Sequence, residues 1–156
     1  MTDSLHDLDL VHWSRQQTEA LRTAAREYSN APIDWEYVAE EIEGLGASER
    51  RALASYVRTV LEHLLKLHAS SAEMPRQGWT RSIVRARTDI EAVLETSPSL
   101  RRELPDIIGR ELVRARRLVA HDLASHKEKL PPDFWTLVYD EAQVMGPPGP
   151  LEPVSE

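Results

Sequence analysis

The sequence of 156 residues contains no cysteine, only six glycines and a single phenylalanine. Without cysteine, disulfides, thiolate metal sites and a cysteine nucleophile are all excluded. This usage is typical of a reducing cytoplasm, which is where we expect the protein. No apolar run approaches the length of a membrane span, so no membrane association is predicted. Asp3, Asp7 and Asp9 give the N-terminus the wrong charge for a signal peptide.

Apolar residues recur at helical spacing along nearly the whole chain, and alternation with a period of two is absent. This pattern predicts an all-α fold: an irregular bundle of about six amphipathic helices. Most neighbouring helices are expected to be antiparallel, because the connections between them are short. One helical domain is predicted over residues 1–146. Residues 147–156 contain four prolines and little to bury, which predicts a disordered tail.

The first two predicted helices, a long one and a short one, are bounded by recognisable start and stop residues. One helix is predicted from Asp9 to Tyr28, and the next begins after Asp34, whose carboxylate is expected to cap it. Gly44 and Gly46 are predicted to end that second helix early, because glycine adopts left-handed backbone at low cost. The buried face of the first helix is expected to consist of Trp13, Ala20, Leu21, Ala24 and Tyr28.

Further helices are predicted along the rest of the chain. A third helix is expected from Ser48 to about Ser70, followed by a loop around Pro75 and Gly78. Pro105 should interrupt the stretch after Ser97–Pro98, giving a short helix and then a long one. A last, weak helix is expected over 140–145. The fourth helix has the clearest apolar pattern: Trp79, Ile83, Ala86, Ile90 and Leu94.

The formal net charge of −7 is distributed unevenly along the chain. Residues 1–75 carry 7 Lys/Arg and 13 Asp/Glu, 76–117 carry 10 and 6, and 118–156 carry 2 and 7, giving −6, +4 and −5. Arg110, Arg114 and Arg117 form a row on the last long helix, as a phosphate-binding surface requires. The acidic isoelectric point of about 5.4 and the absence of interleaved aromatic residues argue against nucleic-acid binding.

The histidines do not have the spacing of a metal site. None has a glutamate three positions before it, as a carboxylate-bridged di-metal bundle requires. His63 and His68, like His121 and His126, are five residues apart, which points their rings away from one ion. No metal and no cofactor is therefore predicted. Phosphate-binding glycine loops and a Ser/His/Asp arrangement are absent too, so the sequence specifies no reaction.

Six short segments together resemble the bacterial family known as domain of unknown function 29. The resemblance covers about residues 7–145 and implies an all-helical fold with no established activity. It marks Glu41, His63, Lys66, Trp79 and Arg87 as the recurring polar and aromatic positions. The segments are Asp9-x3-Trp13-x3-Gln17-x3-Leu21-Arg22, Ile33-Asp34, Glu40-Glu41-Ile42-Glu43-x-Leu45-Gly46, His63-Leu64-Leu65-Lys66, Trp79-x3-Ile83-x3-Arg87-x2-Ile90-x3-Leu94 and Ser97-Pro98-Ser99-Leu100.

Three functional interpretations remain open from the sequence. The leading one is a non-enzymatic helical interaction or regulatory module that binds another protein, with self-association as a further alternative. The second is a small enzyme or ligand-binding protein that uses a candidate polar cluster of Glu41, His63, Lys66 and Arg87 beside Trp79. In that cluster Arg87 is expected to pair with Glu41, since a buried arginine needs a partner. The third, nucleic-acid binding, is disfavoured by charge.

Overall fold

The computed structural model describes residues 3–28 and 30–146. These residues form six α-helices and one 3-10 helix, with no β-strand among them, so the predicted all-α fold is confirmed. The predicted tail over residues 147–156 lies outside the described residues. Within the same part of the chain, no helix is both long enough and apolar enough to cross a membrane. The α-helices are α1 (Leu5–Leu8), α2 (Leu10–Glu27), α3 (Trp35–Ala69), α4 (Arg76–Thr96), α5 (Leu104–Ser125) and α6 (Glu141–Met145).

The chain divides into two compact units. Unit 1 takes the described parts of Met1–Ala52 together with Ala92–Arg102, and unit 2 takes Leu53–Glu91 with the described parts of Glu103–Glu156. Helices α3 and α4 each contribute to both units. The prediction of one domain over residues 1–146 stays a prediction.

Unit 1 is organised around the start of α2. Asp9 caps this helix, because its carboxylate accepts a hydrogen bond from the amide of His12 at 2.8 Å. The same carboxylate accepts hydrogen bonds from the amide of Ser99 at 2.7 Å and from its hydroxyl at 2.9 Å. Burial acts to raise the pKa of Asp9, but the hydrogen bonds from His12 and Ser99 outweigh it and hold the pKa below its usual value. Ionised Asp9 therefore holds α2 and the 3-10 helix (Pro98–Glu103) together.

The prediction that Gly44 and Gly46 end a helix is wrong, because α3 runs without interruption from Trp35 to Ala69. Gly46 is buried, and a Cβ atom built on it would lie 2.6 Å from the hydroxyl oxygen of Ser14 on α2. Glycine is required there by the close approach of a neighbouring side chain and not by a left-handed turn. Gly44, by contrast, is exposed and has no neighbouring atom within 4 Å of such a Cβ.

The buried face of α2 also differs from the prediction. Val11, Ser14 and Thr18 are its buried residues, whereas Ala20 and Tyr28 are exposed. The two hydroxyls are satisfied within the helix, since Ser14 donates to the carbonyl of Val11 at 3.0 Å and Thr18 to that of Ser14 at 2.7 Å. Small, internally bonded side chains allow the close approach at Gly46, which hydropathy alone does not indicate.

Unit 2 has the larger apolar core, drawn from α3, α4, α5 and the segment after α5. The predicted pattern of α4 is confirmed at Ile83, Ala86 and Ile90, which are buried, and α4 begins at Arg76, ahead of the predicted loop residue Gly78. Pro105 falls in the first turn of α5, after the 3-10 helix, as predicted. The largest fully buried apolar side chains of unit 2 are Phe134, Leu53, Leu61, Leu65, Ile83, Ile90, Leu104, Ile107 and Val57.

Candidate functional site

A groove with a volume of about 480 Å³ lies between α3 and α4 in unit 2. One wall comes from α3 and the other from consecutive turns of α4. A second hollow, of about 550 Å³, is lined only by residues from 103 to 110, so it is the open surface of one stretch of chain. The α3–α4 groove, by contrast, is a concave surface to which two helices contribute. It is lined by Tyr56, Thr59, Gly78, Arg81, Ser82, Arg85, Ala86 and Asp89.

The α3–α4 groove carries charged side chains that have no oppositely charged partner among residues 3–28 and 30–146. Arg81 and Arg85 are exposed, and no carboxylate of the described residues lies within salt-bridge distance of either. Asp89, one helical turn further along, is half-buried and has no described cationic partner either. The hydroxyl groups of Thr59 and Ser82 donate to carbonyls of their own helices at 3.1 and 3.0 Å, so they present acceptor oxygens to the groove.

His63 and Lys66 are the two predicted polar positions that lie on the unit 2 part of α3. His63 Nδ1 is 2.7 Å from the carbonyl oxygen of Thr59, which requires a proton on Nδ1 and leaves Nε2 free to accept in the neutral ring. Lys66 Nζ pairs with Asp122 on α5 at 2.8 Å. The hydrogen bond from Lys66 lowers the pKa of the Asp122 carboxyl below its usual range. Lys66 therefore joins α3 to α5.

Arg87 is buried on α4 and connects this helix to α6 through hydrogen bonds. Its Nε donates to the carbonyl of Val144 at 2.9 Å and its Nη2 to that of Gln143 at 2.8 Å. Burial lowers the pKa of the Arg87 guanidinium. These carbonyls satisfy Arg87 without the carboxylate of Glu41 that the sequence analysis assigned to it. Gly146 follows with a positive φ of 69°, and a Cβ atom there would collide with the same guanidinium.

Trp79 and Glu41 complete the set of predicted positions. Trp79 is half-buried near the start of α4. Glu41 is exposed on the unit 1 part of α3, and no hydrogen bond or ion pair is described for it. The structure therefore gives His63, Lys66 and Arg87 separate partners, and their membership of a common site with Glu41 and Trp79 stays a prediction.

An exposed apolar strip runs beside Glu41 in unit 1. Val38 is 38% exposed and Leu45 41%, and half-buried Ile42 lies between them on the same helix. The spacing of four and then three residues places all three on one face of α3. Glu41 is three residues after Val38 and four before Leu45, so it borders this face on its solvent side. Ile33, which precedes the helix, is 47% exposed.

A buried carboxylate in unit 2 was missed by the sequence analysis. Glu111 is 2% exposed and lies between Arg114 at 2.5 Å and Arg58 at 3.1 Å. A signal was present, because Leu104, Ile108, Glu111 and Ala115 follow helical spacing and place Glu111 on the buried face of α5. One member of the predicted arginine row is thus engaged within the protein.

Several other arginines of the basic middle segment bind backbone oxygens. Arg76 donates to the carbonyls of Ser70 at 3.0 Å and Leu67 at 2.9 Å, and so provides hydrogen bonds to carbonyl groups at the C-terminal end of α3. Arg116 donates to the carbonyl of Leu137. Arg76, Arg87 and Arg116 thus bind carbonyl oxygens that lie outside their own helices. Across residues 3–28 and 30–146, no group of three or more His, Asp or Glu side chains is placed to hold a metal ion.

The described residues are all-helical and carry a charged groove between α3 and α4 and an exposed apolar strip on α3. The chain belongs to the family described as Domain of unknown function DUF29, whose profile matches residues 5–146. Among solved structures it is similar to an α-helical protein of unknown function from Rhodospirillum rubrum ATCC 11170. That similarity has a TM-score of 0.63 and 25% sequence identity, covering 94% of this chain and all of the other. Comparison with curated proteins finds no significant match. The family resemblance inferred from the sequence is confirmed, and the function of the family is unknown.

Proposed function

We propose that the protein is a non-enzymatic interaction module that binds a basic amphipathic helix of a partner protein along the exposed strip of α3. The observation that carries the proposal is one apolar face of α3, on which Val38 and Leu45 are exposed and Ile42 between them is half-buried. Isolated exposed apolar residues are common on soluble proteins, but a contiguous row edged by polar groups is typical of a binding surface.

Charge and geometry favour a basic helix as the occupant. An amphipathic helix binds through apolar residues at spacings of three and four, which match the spacing along Val38, Ile42 and Leu45. Glu41 lies at the edge of this row, is exposed and has no described partner. Its carboxylate would pair with Lys or Arg at the rim of the interface, which mainly increases the association rate and the salt dependence.

The proposal is tested by affinity purification from the native host with three single variants. Val38→Asp and Leu45→Asp place a charge in the strip, whereas Val84→Asp does so on α4, at a residue of similar exposure, 43%. A partner should be retained by wild type and Val84→Asp and lost with both strip variants. Its binding segment, mapped by cross-linking, should be a basic amphipathic helix. Equal retention by all variants would contradict the proposal, and so would an acidic or extended binding segment or a second copy of this chain.

A further inference from the structure

The charged groove between α3 and α4 shares no residue with the apolar strip, and its α4 wall carries two cations followed by one anion. Arg81, Arg85 and Asp89 succeed one another at intervals of four residues along one wall. With a rise of 1.5 Å per residue, successive members are about 6 Å apart along the helix axis. The groove therefore presents two cations followed by one anion along a path of about 12 Å.

The charged side chains of this wall indicate the chemical class of the ligand. Two guanidinium groups without a described acidic partner match the charge of a phosphate dianion and can donate paired hydrogen bonds to its oxygens. Asp89 only accepts hydrogen bonds when ionised, so the ligand must offer a donor such as a hydroxyl group about one helical turn from the phosphate. Tyr56 adds a phenol at the opposite wall.

From this arrangement we infer that the groove binds a small hydroxylated phosphate ester, with the phosphate on Arg81 and Arg85 and a hydroxyl group on Asp89. The volume of about 480 Å³ lies within the usual range for small-ligand sites. A nucleic-acid backbone fits less well, because Asp89 would face a phosphate and the protein as a whole carries a net charge of −7.

The inference is tested by calorimetric and NMR titration of the full chain with ribose 5-phosphate and with inorganic phosphate. Ribose 5-phosphate should bind with a dissociation constant below about 1 mM and perturb amides of residues 56–59 and 78–89. The double variant Arg81→Gln/Arg85→Gln should weaken binding about tenfold or more. A matched control is Arg110→Gln/Arg117→Gln, which removes the same charge from two exposed arginines on α5 and should change the affinity by less than about twofold.

Asp89→Asn separates the two parts of the ligand. It should weaken binding of ribose 5-phosphate while leaving inorganic phosphate binding unchanged or stronger, because a repulsive charge is removed. The inference is overturned if neither probe perturbs the groove, if the control double variant loses as much affinity, or if Asp89→Asn affects both probes alike. Tighter binding of a single-stranded oligonucleotide than of ribose 5-phosphate would assign the groove to nucleic acid and also overturn it.

Discussion

The two central glycines of α3 should respond in opposite ways to the same substitution. Gly44→Ala adds a methyl group in open space, whereas Gly46→Ala places it 2.6 Å from the hydroxyl oxygen of Ser14. Both changes remove a helix-interior glycine and so gain the same intrinsic helix propensity, about 1 kcal/mol. The difference between the two variants therefore measures the steric conflict at Gly46.

The size of that conflict follows from the surroundings of Ser14. This side chain is 3% exposed and its hydroxyl is held by a hydrogen bond to the carbonyl of Val11, so it has little freedom to move away. Overpacking of a well-packed interior costs about 1–3 kcal/mol. We expect Gly44→Ala to stabilise by up to about 1 kcal/mol and Gly46→Ala to be about 1–3 kcal/mol less stable than Gly44→Ala.

A second substitution tests whether Ser14 is the cause. Ser14→Ala removes the hydroxyl, after which the nearest described atoms to a Cβ at position 46 are Arg50 Nη1 at 3.7 Å and the Cβ of residue 14 at 3.8 Å, both ordinary contacts. In that background Gly46→Ala should become stabilising. The double-mutant cycle should then give a favourable coupling between about 0.5 and 3 kcal/mol.

Urea and thermal unfolding measure all of these variants, at about 2–4 °C for each kcal/mol in a chain of this size. If Gly46→Ala were as stable as Gly44→Ala, the close approach of Ser14 would not constrain α3. If Gly44→Ala were strongly destabilising, Gly44 would have the helix-ending role that the sequence pattern indicated. If Gly46→Ala were still destabilising in the Ser14→Ala background, the hydroxyl of Ser14 would not be the cause of the steric conflict at position 46.

Three further predictions concern charged groups. Because the folded-state pKa of Asp9 is lowered, ionisation of Asp9 stabilises the fold above the unfolded pKa of about 3.9, and this contribution is lost as the pH falls through the lower folded value. In Asp9→Asn the midpoint of urea unfolding should therefore fall less steeply with decreasing pH than in wild type. An unchanged pH dependence of the midpoint would refute the role of Asp9. Arg87→Met should destabilise by about 1–3 kcal/mol in urea unfolding. Its effect should add to that of Glu41→Gln within about 0.5 kcal/mol, since Arg87 donates to carbonyls. A clear coupling would instead support the pairing of Arg87 with Glu41 expected from sequence. Glu111→Ala should cost about 1–3 kcal/mol and Glu111→Gln less, because the amide oxygen still accepts from Arg58. Equal costs for the two variants in the same assay would contradict this, because the retained amide oxygen would then contribute nothing.

The sequence predicted elements well where a single rule governs them. Apolar periodicity located the buried residues of α4, and proline and capping rules located the start of α5 and of α6, where Asp140 accepts from the amide of Gln143 at 2.8 Å. Prediction from sequence was wrong where the role of a residue depends on its contact with a distant part of the chain. Gly46 follows the local rule for a helix end, but the reason for its presence is Ser14, 32 positions earlier in the sequence.

The candidate site shows the same limit. Arg81, Arg85, Arg87 and Arg76 share one residue type on one helix, and their spacing does not tell which of them bind backbone carbonyls and which remain free. That distinction depends on the end of α3 and on α6, which contribute the carbonyls. Hydropathy likewise could not separate the exposed face of α3 from its buried one, because apolar residues occur on both.

Photo-crosslinking in the native host tests the proposed interaction surface most directly. A benzophenone amino acid in place of Leu45 should cross-link to a basic amphipathic segment of another protein, and the same amino acid in place of Val84 should not. Cross-links to the same proteins from both positions, or from neither, would contradict the proposal that the exposed strip of α3 is the binding surface of this protein.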